Sequence, residues 1–166
     1  MSGRGGLLLA LVLVTGAGGC EPLGCGEPAH LAELVSADGE VTRDFAAAPR
    51  RWQPVEKQAR FSLGDGVRTG AGSSAQLRLT GGGRILVDAQ TLVRFARRGG
   101  DPTPQLDVDI GSIELDSQEG DLSLETVLGL LRIERGSRVR LHGGQERQGL
   151  DVLFGKLTVE RDGKRT

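Results

Sequence analysis

Tyrosine is absent from this chain, and one tryptophan and four phenylalanines are all its aromatic residues. A base-stacking platform needs several exposed rings, so this scarcity weighs against that mode of nucleic-acid binding. Charge of one sign is missing too. The 21 Lys and Arg nearly cancel the 22 Asp and Glu, which leaves neither a basic nucleic-acid footprint nor an acidic tail. The two histidines, His30 and His142, have no His or Cys neighbour at ligand spacing, whereas zinc takes three or four such donors. With two cysteines, Cys20 and Cys25, no disulfide framework holds the fold together.

Catalytic signatures are equally sparse. Ser73 and Ser74 lie in a Gly-rich stretch without the Gly-x-Ser-x-Gly elbow. Gly64-Asp65-Gly66 lacks the third glycine of a dinucleotide site and reads as a tight turn before Val67. Asp107, Asp109, Asp116 and Asp121 do not form the Asp-x-Asp-x-Asp-Gly loop that calcium takes. Arg97-Arg98 opens a Gly/Pro loop and reads as solvated. No cofactor and no metal is expected, and the chain is read as not being an enzyme.

What is present begins with an export signal. Arg4 precedes an unbroken apolar run over residues 7–14, which ends in Thr15-Gly16-Ala17-Gly18-Gly19-Cys20. A charged start, a short apolar middle and a small-residue end are the layout of a secretory signal peptide. The run is shorter than the roughly 20 residues that span a bilayer. Ala17-Gly18-Gly19-Cys20 resembles the lipobox of bacterial lipoproteins, which implies cleavage before Cys20 and acylation of its thiol. Ala17 stands where that pattern favours Leu, and the alternative is an ordinary signal peptide cut near Ala17 or Gly19. Cys25 is the poorer lipidation candidate, because Pro22 and a broken apolar run precede it. With Cys20 acylated, Cys25 is a lone thiol in an oxidising compartment; without acylation, a Cys20–Cys25 bridge would close a very small loop. Residues 1–19 are therefore assigned to the signal, 20–31 to a Pro/Gly-containing tether and 32–162 to one domain, in keeping with a length of 166 residues.

The mature part alternates apolar and polar residues at period two, the signature of half-buried strands. Ala75-Gln76-Leu77-Arg78-Leu79, Arg84-Ile85-Leu86-Val87 and Thr91-Leu92-Val93-Arg94-Phe95 follow this pattern, with Gly81-Gly82-Gly83 as a turn between the first two. Later strands are expected at 106–110, 112–116, 121–126, 131–134, 139–141 and 150–160. Pro28 to Val35 is expected to allow one short helical turn, and Val127 to Leu131 is ambiguous. Arg and Asp between the apolar positions are read as solvating the outward face. Leu106-Asp107-Val108-Asp109-Ile110-Gly111-Ser112-Ile113-Glu114-Leu115 is echoed by Leu150-Asp151-Val152-Leu153-Phe154-Gly155-Lys156-Leu157-Thr158-Val159. A second pair aligns Thr80, Gly83, Ile85, Val87, Thr91 and Phe95 with Thr126, Gly129, Leu131, Ile133, Ser137 and Leu141. Repeats at a near-constant offset predict stacked antiparallel strands, as a short β-solenoid or a pseudo-symmetric β-sandwich.

Several blocks resemble FecR-like domains: Gly39-Glu40-Val41, Trp52-Gln53-Pro54-Val55, and above all Leu63-Gly64-Asp65-Gly66-Val67-Arg68-Thr69-Gly70. The later Ile110-Gly111-Ser112-Ile113, Gly136-Ser137-Arg138-Val139 and Phe154-Gly155-Lys156-Leu157 are similar to the family's second half, and the likeness covers roughly residues 34–160. It implies an all-β extracytoplasmic module in which Gly64, Asp65, Val67, Thr69 and Gly70 shape a turn and a strand. The family's best-known members sense an outer-membrane receptor and control a sigma factor through an N-terminal helical domain. Residues 1–31 hold no such domain, and Ser137 stands where the family often has threonine. The expected function is a non-enzymatic binding or scaffolding module of the bacterial envelope, periplasmic or outer-surface. Its expected partners are the bilayer, through acylated Cys20, and an envelope protein or glycan, with no nucleic acid. The alternative is a periplasmic sensory component of a FecR-type signalling system.

Overall fold

The computed structural model describes residues 30–96, 105–144, 148–161 and 164–165. The export segment, Cys20, Cys25 and Arg97-Arg98 lie outside the described residues.

The described chain is all-β. Its first strands are β1 (Ala32–Asp38), β2 (Val41–Phe45), β3 (Ala48–Pro54), β4 (Arg60–Phe61) and β5 (Gly66–Thr69). Then come β6 (Ser74–Leu79), β7 (Arg84–Val87), β8 (Leu92–Ala96), β9 (Gln105–Asp116) and β10 (Leu122–Thr126). The last are β11 (Gly129–Ile133), β12 (Arg138–Gly143), β13 (Gly149–Phe154), β14 (Leu157–Arg161) and β15 (Lys164–Arg165). Hydrogen bonding links them into one curled, antiparallel assembly with two halves. One half runs β4-β1-β6-β7-β9-β12-β13, and the other runs β3-β2-β5-β8-β9-β10-β11-β14-β15. The one parallel contact among the described residues is the bridge Glu125↔Gln105 between β10 and β9.

Strand β9 belongs to both halves. Residues up to Ile110 pair with β8, while those from Gly111 onward pair with β7 and β12. The same device recurs at both ends of the chain: β1 and β2 meet at Gly39, and β13 and β14 meet at Gly155. Gly39, Gly111 and Gly155 all have positive φ, at 73°, 87° and 84°. At each corner the residue after the glycine donates its N–H to a hydroxyl on a neighbouring turn. Glu40 donates to Ser73 Oγ (2.8 Å), Ser112 to Thr91 Oγ1 (3.1 Å) and Lys156 to Ser137 Oγ (2.9 Å). Two of these hydroxyl residues are themselves held alike. Thr91 N–H donates to Thr69 Oγ1, and Ser137 N–H donates to Ser117 Oγ, both at 3.0 Å. Thr69 and Ser117 in turn donate to the carbonyls of Asp88 (2.5 Å) and Glu134 (2.6 Å). Buried hydroxyls that both accept and donate leave no corner amide unpaired.

The two sequence echoes are these layers seen edge-on. The hairpin β6–β7 pairs Leu77 with Ile85 and Ala75 with Val87; the hairpin β10–β11 pairs Leu124 with Leu131 and Leu122 with Ile133. Strands β8 and β9 pair Val93 with Val108, and β12 and β13 pair Val139 with Val152, with the register shifting at the same step in both. All inward residues join a single aliphatic core in which Leu77, Ile85, Ile113, Leu115, Leu131, Val67, Val93 and Val139 are fully enclosed. Phe61 and Phe95 stack obliquely inside it, with centroids 5.7 Å apart.

The helical turn expected over Pro28 to Val35 does not form over residues 30–35, and residues 28 and 29 lie outside the described residues. Residues 32–38 are strand β1, because Ala32 and Leu34, two apart, both face the core while β6 and β4 pair on either side. Val127 and Leu128 form the turn between β10 and β11, and Gly129 onward is strand. At the N-terminal end, β3 is an edge carrying Pro49 and Pro54, and β4 is two residues long. Proline and short edges both discourage further strand pairing.

Candidate functional site

The block from Gly64 to Gly70 forms a turn and the strand β5. Gly64 has φ +88°, and a Cβ there would meet the Cβ of Ala46 at 2.7 Å. Its N–H donates to the Phe95 carbonyl at 2.5 Å. The Asp65 carboxylate, almost wholly buried, accepts N–H groups from Ala46 and Ser62 and a guanidinium N–H from Arg43, each at 2.9 Å. Val67 is in the core, Thr69 serves the corner described above, and Gly70 leaves room for the Glu40 side chain, which would lie 2.9 Å from an added Cβ. All five residues thus act on the backbone path. None of them presents a reactive group to solvent in an open cleft.

Around β5 of this block, the outward face of β2, β3, β5, β8 and β9 gathers a charged aromatic cluster. Gly66 is its floor: a Cβ there would touch both Arg94 Nη1 and the Trp52 ring at 3.2 Å. Trp52 therefore lies across β5, with the guanidinium groups of Arg68 and Arg94 at 4.8 and 5.6 Å from its ring. Cation–π contacts of this kind contribute about 0.5–1 kcal/mol where exposed. Beneath them Asp44 is fully buried and accepts Arg94 Nη2 at 2.9 Å and the Arg51 N–H at 3.2 Å. Burial by itself would raise the Asp44 carboxyl. The Arg50 amide, the bond and charge of Arg94, and the Arg51 amide outweigh it and hold the group below its ordinary value. Asp109, 3.8 Å from Arg94 Nε, is pushed the other way by burial, with Arg94 opposing and Asp107 adding to the rise.

The two carboxylates have opposite acid responses. Asp44 stabilises the fold above its unfolded-state value, and that stability is lost as pH falls through the lowered folded value. Asp109 gives up stability when it ionises, so acid relieves it, at higher pH than the Asp44 transition. Asp44→Asn is expected to flatten the acid limb of stability below the ordinary carboxylate value while leaving the Asp109 response in place. Urea midpoints against pH for the two proteins would reveal this, and an unchanged acid limb would remove Asp44 from the account.

Trp52 enters the sequence reading only through the family likeness, and Asp44 and Arg94 not as a site at all. In Val41-Thr42-Arg43-Asp44-Phe45 the aspartate occupies an outward position, which reads as solvated. What encloses it is Trp52 from the next strand and Arg94 from a strand 50 residues on, a juxtaposition without local signal. The other residues considered are dispersed. Ser73 is a corner hydroxyl, and His142 Nε2 lies 2.8 Å from Asp151 on the exposed side of β12 and β13. Asp107 accepts from Gln105, Asp116 from Arg138 and Asp121 from the Arg135 amide. Among the described residues no three His, Cys, Asp or Glu gather as a metal site. Comparison with protein-family models, with curated proteins and with solved structures gives no match.

Proposed function

We propose that this chain is a non-enzymatic binding or scaffolding module of the bacterial cell envelope, exported and displayed on a membrane through acylated Cys20. The observation that carries the binding part is the Trp52 cluster. Fixed aromatic and arginine side chains lose little conformational entropy on contact, and Trp and Arg are the residue types that dominate interface energetics. Asp44 holds Arg94 in place before any partner arrives, and Gly66 seats the indole. Aromatic and guanidinium faces of this kind suit an envelope protein or a glycan. The export part rests on the signal layout and the lipobox-like Ala17-Gly18-Gly19-Cys20. The FecR-like blocks agree with an extracytoplasmic β module.

The test has two readouts on the full chain expressed in a bacterium. Intact mass should give a membrane-borne product that begins at Cys20 and carries added acyl mass, and Cys20→Ala should abolish both. A photo-cross-linker at position 68 should yield a discrete adduct with an envelope component, while one at position 78, exposed on the other half of the fold, should not. An unmodified product cut near Gly19 would overturn the anchor, and equal labelling from both positions would overturn the binding face.

A further inference from the structure

The repeat permits a comparison the molecule makes with itself. The kinked strand of the first layer, β1–β2, is covered on its outer side by β4 at Ala32 and Glu33 and by β3 along β2. That of the middle layer, β9, is covered by β10 and β12. That of the last layer is not covered in the same way. Strand β13 pairs with β12 alone, and β14 has beyond β11 just the two-residue β15 at its far end.

Burial follows this difference position by position. Val108 is 6% exposed, whereas its repeat equivalent Val152 is 49% exposed. Leu106, Ile113 and Leu115 are buried, while their equivalents Leu150, Leu157 and Val159 are only partly so. Leu153 and Phe154 add exposed apolar surface on the same edge, with Phe154 at 68%. The side chains that a further layer would enclose are already in place, next to an edge strand whose outer backbone groups have no partner strand among the described residues. Stacked-repeat folds need a cover at such an end.

We propose that a second copy of this chain supplies the cover, adding its own β13 antiparallel to this one. The fold specifies what fits there: an antiparallel strand with a free edge and apolar side chains at alternate positions. Among the other edges described, β3 carries two prolines and the positive-φ Arg50, β4 and β15 have two residues each, and β1 and β14 are open only over the short stretches that β4 and β15 leave unpaired. Strand β13 itself meets the requirement. Using the same edge twice makes a two-fold, isologous contact, and the blunted opposite end stops it from growing into a fibre. A two-fold axis at Val152 sets Asp151 of each copy against Leu153 of the other, so like charges do not meet.

The full chain, purified from membranes in mild detergent, should have a polypeptide mass of two copies by light scattering. Val152→Lys and Leu153→Lys should each halve that mass with circular dichroism unchanged. Val35→Lys, at a similarly exposed residue on β1 in the first layer, should leave it at two copies. The unsubstituted protein gives a reading that does not depend on variants folding: the alternate β13 amides that point away from β12 should be protected from hydrogen exchange and lose protection on dilution to single copies. A single-copy mass at every concentration, two copies in both lysine variants, or protection of those outward β13 amides in a single-copy species would each overturn the proposal. The last result would assign the edge to another segment of the same chain.

Discussion

Asp65→Ala is expected to destabilise the domain by about 4 kcal/mol, a large part of the 5–15 kcal/mol that holds a typical domain folded. Three donors converge on this carboxylate. Two are backbone amides, of Ala46 and Ser62, and the third is the Arg43 guanidinium, itself nearly buried. Arg43 lies against Phe45 and Phe61, 3.8 and 4.9 Å from the ring centroids, and its Nε already has no hydrogen-bond partner. Removing the carboxylate leaves that cation with the Arg60 carbonyl at 3.0 Å and orphans both amides, each worth about 1–3 kcal/mol when buried and unpaired. Asp65→Asn keeps one accepting oxygen and should fall between the two. In the double variant Asp65→Ala, Arg43→Met the stranded charge is gone, so it should be more stable than Asp65→Ala alone. Urea unfolding of the four proteins measures the set. A loss below about 1 kcal/mol in Asp65→Ala would mean that water or a shifted side chain replaces the carboxylate.

The middle and last layers were legible because their chemistry is local. Alternation places Leu77, Ile85, Val87, Val93, Leu124, Leu131 and Val139 inward, and the glycines at 111 and 155 mark the corners. The echo between residues 106–115 and 150–159 corresponds in three dimensions to the same kinked strand used twice, down to the shifted register. The first layer was much less legible. Strand β3, with Pro49, Arg50, Arg51 and Pro54, has no apolar alternation at all, because an edge strand paired only with β2 needs no inward face. Strand β1 was obscured by Pro28 just before it and by a register shift after Leu34 that breaks its period. The motif residues Gly64, Asp65, Val67, Thr69 and Gly70 were named from the sequence, but the partners that explain them were not. Arg43 and Ala46 come from another hairpin, and no spacing rule connects residue 65 to residue 43. The Trp52 cluster was hidden for the same reason: a buried aspartate on the outward side of a strand looks like a solvated one until its cover is known. The exposed end at β13 is legible only through the repeat. Val108 and Val152 both follow Leu-Asp and precede a corner glycine by three residues, and the difference in their burial is a property of which strands lie beyond them.

That logic gives a second large effect, with internal controls. Gly111→Ala should cost about 3–5 kcal/mol, because two penalties coincide there. A φ of +87° is one that side-chain-bearing residues adopt at a cost of roughly 1–2 kcal/mol. An added Cβ would also lie 2.7 Å from Thr91 Cα and 2.8 Å from the Gln90 carbonyl oxygen, besides colliding with Thr91 Oγ1. Backbone atoms cannot rotate away, so the turn carrying Thr91 must move, and with it the hydroxyl that accepts the Ser112 amide. Gly136→Ala separates the two penalties: its φ is +76°, but no atom lies within 4 Å of the new Cβ. Only the backbone term remains, and about 1 kcal/mol is expected. Gly155→Ala meets the same obstruction as Gly111, with Ser137 Cα at 2.7 Å, yet it sits in the half-exposed last layer, where local opening disengages the corner without unfolding the core. The expected order of destabilisation is Gly111 first, then Gly155, then Gly136. Denaturant midpoints would establish it. Should Gly155→Ala equal Gly111→Ala in the assembled protein but fall below it at dilutions where copies separate, the last layer is being closed by association, since a covered corner can no longer open locally.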